Sequence, residues 1–81
     1  MKVELSPKAA KHLKGMGQPD KGRIIRALEK LPQGDVVALQ GQHRLYRLRV
    51  GDWRIVFSYP EPDSILVERI APRGEIYKGG F

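Results

Sequence analysis

The spacing of apolar residues changes several times along the chain, and each change marks an element. Residues 2–5 alternate, with Val3 and Leu5 on one side, which predicts a short half-buried strand. Ser6 and Pro7 end it and begin a helix, Ser6 as N-cap and Pro7 in the first turn, where its missing N–H costs nothing. Ala9, Leu13 and Met16 then recur at helical spacing until Gly17 closes the helix. Pro19 and Asp20 start a second helix, in which Ile24, Ile25, Leu28 and Leu31 form a stripe while Arg23, Arg26 and Lys30 face outward. Pro32 stops it. Neither helix is long enough to be stable alone, so the pair is expected to fold back around Gly17 and Gln18 and bury both stripes on a sheet.

Between Gly34 and Gly41 a short apolar run, residues 36–39, admits two readings: a loop packing inward or an extra turn. Three strands are predicted beyond it, over residues 44–50, 53–59 and 64–70, the last two divided by Pro60, Glu61, Pro62 and Asp63. The tail from Ala71 to Phe81 reads as irregular. With no internal repeat or linker, residues 1–81 are expected to make one α+β domain, a two-helix hairpin on one face of a small antiparallel sheet in the order β-α-α-β-β-β.

Gly51 and Asp52 have the form of a two-residue hairpin turn, and that turn sets a register. Val50 then faces Trp53, Arg49 faces Arg54, Leu48 faces Ile55, Arg47 faces Val56 and Tyr46 faces Phe57. Tyr46, Leu48, Val50, Trp53, Ile55 and Phe57 share the core face, leaving Arg47, Arg49 and Arg54 together on the other. Like charges directly across a strand pair cost a few tenths to about 1 kcal/mol relative to a neutral pair. An anion bound there would relieve that cost.

Composition narrows the field. The chain has no cysteine, so it has no disulfide framework or thiolate metal site, and it has no apolar run long enough for a membrane helix or a secretory signal. A cytoplasmic protein without membrane contact is expected. Fifteen Lys and Arg against nine Asp and Glu give a net charge of +6. Arg44, Arg47, Arg49 and Arg54 fall within eleven positions whose only acid is Asp52. A solubilising surface accounts for scattered lysines such as Lys8, Lys11 and Lys14 but less well for clustered arginines, so nucleic acid is the expected partner.

The stretches "LYRLRVGDWRIVF" and "ERIAPRGEIY" resemble the RelE/ParE superfamily of bacterial toxins from type II toxin–antitoxin modules. "LSPKAAKHLKGM" and "RIIRALEKLPQG" are similar too, so the resemblance spans nearly the whole chain. Its most specific element is "YRLRVGDWRI", with basic residues at the second and fourth places and an arginine after the aromatic. Resemblance to the RelE branch implies a metal-independent, ribosome-dependent endoribonuclease that needs no cofactor, cuts mRNA and is held inactive by a cognate antitoxin in a hetero-oligomeric complex. It carries catalytic roles onto Arg47, Arg49, Arg54, Arg73 and Tyr77, with Arg44, His43 and Lys78 as expected RNA contacts. The alternatives are a ParE-like inhibitor of DNA gyrase and an inactive module that binds RNA or antitoxin.

The implied reaction uses the RNA's own 2′-OH, which attacks the adjacent phosphorus to leave a 2′,3′-cyclic phosphate and a 5′-OH. Arginine stays charged and grips two phosphate oxygens at once, which suits Arg54 to the phosphate and Arg47 and Arg49 to positioning. Some family members carry lysines where this chain has Arg47 and Arg49, and arginine cannot serve as a general base. The proton acceptor is therefore Tyr77, His43 or neither. Arg73 stands between Pro72 and Gly74 on a loop close to Tyr77.

Overall fold

The computed structural model describes residues 2–39 and 44–75. Strand β1 (Lys2–Leu5) leads into helices α1 (Pro7–Lys14) and α2 (Asp20–Glu29), followed by strands β2 (Asp35–Ala38), β3 (Tyr46–Val50), β4 (Trp53–Ser58) and β5 (Ser64–Pro72). The strands form one sheet in the order β1-β5-β4-β3-β2. The α+β class and the helical hairpin on one face agree with the expectation. The sheet itself is mixed, because β1 joins β5 in parallel while the other pairs are antiparallel. It also has a fifth strand, since the apolar run after Gly34 is neither a loop nor a turn but the edge strand β2.

Local chemistry accounts for the helix ends. Ser6 Oγ accepts a hydrogen bond from the Ala9 N–H at 3.0 Å and donates one to the Glu68 carbonyl at 2.8 Å, so a single hydroxyl caps α1 and ties it to β5. Replacing Ser6 with alanine removes both bonds, and a urea titration is expected to show a loss of about 1–2 kcal/mol. α1 ends at Gly15, two residues before the expected glycine, and Met16 still packs on the core from beyond the helix.

α1 packs over β5 and β1, and α2 over β3. Between helices and sheet lie Ile24, Leu48, Ile55, Phe57, Ile65 and Val67, each with at most 2% of its surface exposed. Ile25, assigned to the apolar stripe of α2, is instead exposed at 39%. Trp53 meets His12 edge-on at 5.6 Å, which ties the start of β4 to α1. No helix among the described residues is long and apolar enough to cross a membrane.

The hairpin has the expected register, residue for residue, from Tyr46 opposite Phe57 to Val50 opposite Trp53. Gly51 adopts φ +57°, a backbone conformation that an L side chain resists, at the first position of the two-residue turn. On β5 the register slips: Val56 pairs with Arg69 but Phe57 pairs with Val67, leaving Glu68 as the extra residue of a bulge. The bulge changes which residues of β5 face which way. Val67 and Ile70, three positions apart, both join the core.

Candidate functional site

The face of the sheet turned away from the helices carries the basic residues in two cross-strand rows. One row runs Asp35, Arg49, Arg54, Ala71 and the next runs Val37, Arg47, Val56, Arg69. Neighbouring strands lie about 4.8 Å apart and alternate residues of a strand about 6.7 Å apart, so arginines from three strands can reach one phosphate or two adjacent ones. The face also has an apolar spot, where Val56 and Ala71 are buried and Leu39 and Leu45 pack on them. A backbone bond from the Leu39 N–H to the Leu45 carbonyl at 2.9 Å holds the chain to this face on either side of residues 40–43.

The charge cost expected from Arg49 facing Arg54 is met largely within the chain. Arg49 Nε contacts Asp35 Oδ2 at 2.7 Å. Arg54 Nη1 donates to the carbonyls of Gly51 at 2.8 Å and Trp53 at 3.0 Å. Like-charge repulsion therefore does not by itself mark the anion site. The marks are what these contacts leave over: Nε and Nη2 of Arg54 have no partner among the described residues, while the carbonyls hold the guanidinium in place. Arg47 is half-buried between Val37 and Val56 and makes no hydrogen bond or ion pair among the described residues. A partly desolvated guanidinium without a counter-charge favours an incoming anion.

Arg73 lies at the same end of the sheet as Arg54, because Pro72 pairs with Trp53 and the Arg73 N–H donates to the Asp52 carbonyl at 2.6 Å. Its side chain is exposed. Arg44 stands at the opposite end of β3 from the turn, in a left-handed conformation with φ +65° that is uncommon for a residue other than glycine. The structure thus gathers Arg47, Arg49 and Arg54 on one face, places Arg73 just past β5 at the same end of the sheet as Arg54 and leaves Arg44 at the far end. His43, Tyr77 and Lys78 lie outside the described residues.

Arg69 joins this face without having been expected there. Strict alternation from Ile65 and Val67 would send residue 69 into the core, but the bulge at Glu68 turns it outward, into the row of Arg47. Arg69 Nη2 donates to the Glu75 carbonyl at 3.4 Å. Glu68 is engaged elsewhere, accepting from Ser58 Oγ at 2.8 Å. The one trace of it in the sequence is the spacing of the apolar residues Ile65, Val67 and Ile70, which departs from strict alternation after Val67.

Residues 3–77 match the family model described as "ParE toxin of type II toxin-antitoxin system, parDE". A chain of the RelB–RelE antitoxin–toxin complex from Methanococcus jannaschii is similar in structure, with a TM-score of 0.76 and 27% identity over 93% of this chain and 95% of that one. A chain of the archaeal RelE–RelB complex from Pyrococcus horikoshii OT3 is similar with a TM-score of 0.69 and 26% identity, over 90% and 94%. No curated protein matches the chain.

Proposed function

This chain belongs to the ParE toxin family of type II toxin–antitoxin systems, within the RelE/ParE superfamily, and we propose that it acts as an mRNA endoribonuclease on the ribosome. The observation that carries this reading is Arg54, anchored through one nitrogen to two backbone carbonyls, with no partner for its remaining donors among the described residues and with Arg47 and Arg49 on the neighbouring strand. That is the equipment of a phosphate clamp. Arg54 binds the non-bridging oxygens of the scissile phosphate and stabilises the charge that builds on them as the 2′-oxygen attacks phosphorus. The P–O5′ bond breaks, the 2′-OH proton passes to a base and the 5′-oxygen takes up a proton. Arg47 and Arg49 hold the strand so that attack and departure are in line. Arg73, at the same end of the sheet, contacts the neighbouring phosphate, and Tyr77 or His43 supplies the proton acceptor.

An antitoxin is the expected regulator, since both structural relatives come from toxin–antitoxin complexes. A trough of about 500 Å³ between β1 and the helices, lined by Val3, Leu5, Leu13, Ile25 and Leu28, offers its segment an apolar seat.

The experiment is to map mRNA 5′ ends in cells expressing the wild type, Arg54→Ala and Tyr77→Phe. The wild type should give new 5′ ends in phase with codons, and purified protein should cut mRNA on programmed ribosomes but not free mRNA. The family model's description as a ParE toxin keeps a second reading in play, the ParE-like inhibitor of DNA gyrase that the sequence resemblance offers. A supercoiling assay separates the two, because a gyrase poison accumulates cleaved DNA complexes and leaves mRNA intact.

A further inference from the structure

A second basic site lies on the other side of the hairpin turn. Between α2 and the β2–β3 edge is a groove of about 300 Å³, at the lower end of the size of ligand pockets, lined in part by Arg23 and Arg26 from α2, Lys30 at its C-cap and Arg49 from β3. Leu48 and Val50 line it below. Asp35, the carboxylate of the lining, is held by Arg49 at 2.7 Å. Asp20 approaches Arg23 only to 3.9 Å, with both side chains about half exposed. Arg26 and Lys30 have no ion-pair partner among the described residues. Positions 23, 26 and 30 make one stripe of the helix, about 10 Å long at 1.5 Å per residue. A stripe of that length is long enough to meet more than one phosphate of a single strand.

The groove is continuous with the outer sheet face. Arg23 Nη2 lies 2.6 Å from where a Cβ on Gly51 would stand, and the carbonyl of the same glycine accepts from Arg54. Arg49 belongs to both sites. A chain of phosphates leaving Arg54 can therefore round the turn onto α2 and meet cations throughout.

We propose that this groove is a second RNA-backbone subsite, which holds phosphates beyond the scissile one. The proposal rests on the outer face being an RNA site, and it adds a path for the strand and residues that the chemistry does not use. The phosphates come either from the substrate strand or from ribosomal RNA.

The test is the double variant Arg26→Gln/Lys30→Gln. Both residues are exposed, Arg26 on α2 and Lys30 at its C-cap, and an unchanged thermal melt confirms the fold. Its binding to a single-stranded 2′-O-methyl RNA oligonucleotide, which lacks the attacking hydroxyl and so cannot be cut, is measured across salt concentrations. Two lost phosphate contacts should raise the Kd about tenfold or more at about 100 mM salt and lower the log–log salt slope by about 1.4. That result assigns the groove to the substrate strand. An unchanged oligonucleotide Kd with about tenfold weaker binding to purified ribosomes assigns it to ribosomal RNA. If neither changes beyond about twofold, including the case where only antitoxin binding weakens, the subsite is refuted. Cleavage of mRNA on programmed ribosomes by the wild type, assayed in parallel, tests the endoribonuclease reading separately. Its absence would overturn that reading, while the groove is judged by the binding data alone.

Discussion

Replacing Arg54 with alanine is expected to lower mRNA cleavage on programmed ribosomes by about 100-fold or more, the usual cost of removing one donor that stabilises transition-state charge. Stability should fall only modestly, by about 1–2 kcal/mol at most. The substitution removes two hydrogen bonds to Gly51 and Trp53, which are exposed or half-buried and worth about 0.5–1.5 kcal/mol each at most. It also removes the like charge opposite Arg49, which returns up to about 1 kcal/mol. The loss of stability is therefore modest, so a cleavage loss of about 100-fold in protein that still unfolds cooperatively in urea identifies a chemical rather than a structural role. Arg54→Lys keeps the charge but loses the planar fork, which needs one nitrogen for the carbonyls and others for the phosphate. Its activity should fall between the two. Equal cleavage by wild type and Arg54→Ala would refute the phosphate clamp.

Phe57→Ala should have the largest effect on folding. Phe57 is fully buried on β4, stacked on Tyr46 at 5.6 Å and meeting Tyr59 edge-on at 5.7 Å, and Tyr46 and Tyr59 meet at 5.3 Å. Removing this ring from the three, which all touch one another, costs its transfer energy, the cavity left behind and two ring contacts, about 3–5 kcal/mol. Small domains have total stabilities of about 5–15 kcal/mol, so this one change consumes about a fifth of the reserve or more. Urea denaturation followed by Trp53 fluorescence should show the midpoint fall steeply. A loss below about 1 kcal/mol would mean that the aromatic cluster is not the centre of the core.

The parts of this fold legible in the sequence are those whose information is local. A glycine able to adopt positive φ sets the turn, the turn sets the register, and the register sorts six core residues from three arginines. Ser6 and Pro7 mark the start of α1 in the same way. What was not legible depends on distant partners. In β2, Val36, Val37 and Ala38 are all apolar, so the alternation that would identify a strand is hidden and only pairing with β3 reveals it. With β2 unplaced, the contact between Asp35 and Arg49 was invisible, and the facing arginines looked less compensated than they are. Arg69 was missed because a bulge changes strand parity after Glu68. Nothing in Lys2–Leu5 announces a parallel partner, because pairing strands so far apart in the chain leaves no turn between them to read.

The place of β5 has a consequence for how the protein comes into being. It is the last of the five strands to be synthesised, yet it lies between β1 and β4, and the cap that fixes α1 reaches across 62 residues to its Glu68 carbonyl. Until β5 emerges from the ribosome, β1 has no partner, α1 has no sheet beneath it and the row that includes Arg69 is incomplete. Loop closure over so long a span precedes any gain from the contacts it makes, so the domain assembles after translation of its last strand rather than alongside it. The arginine-bearing face, with Arg69 in its second row, is therefore complete only once β5 has taken its place between β1 and β4.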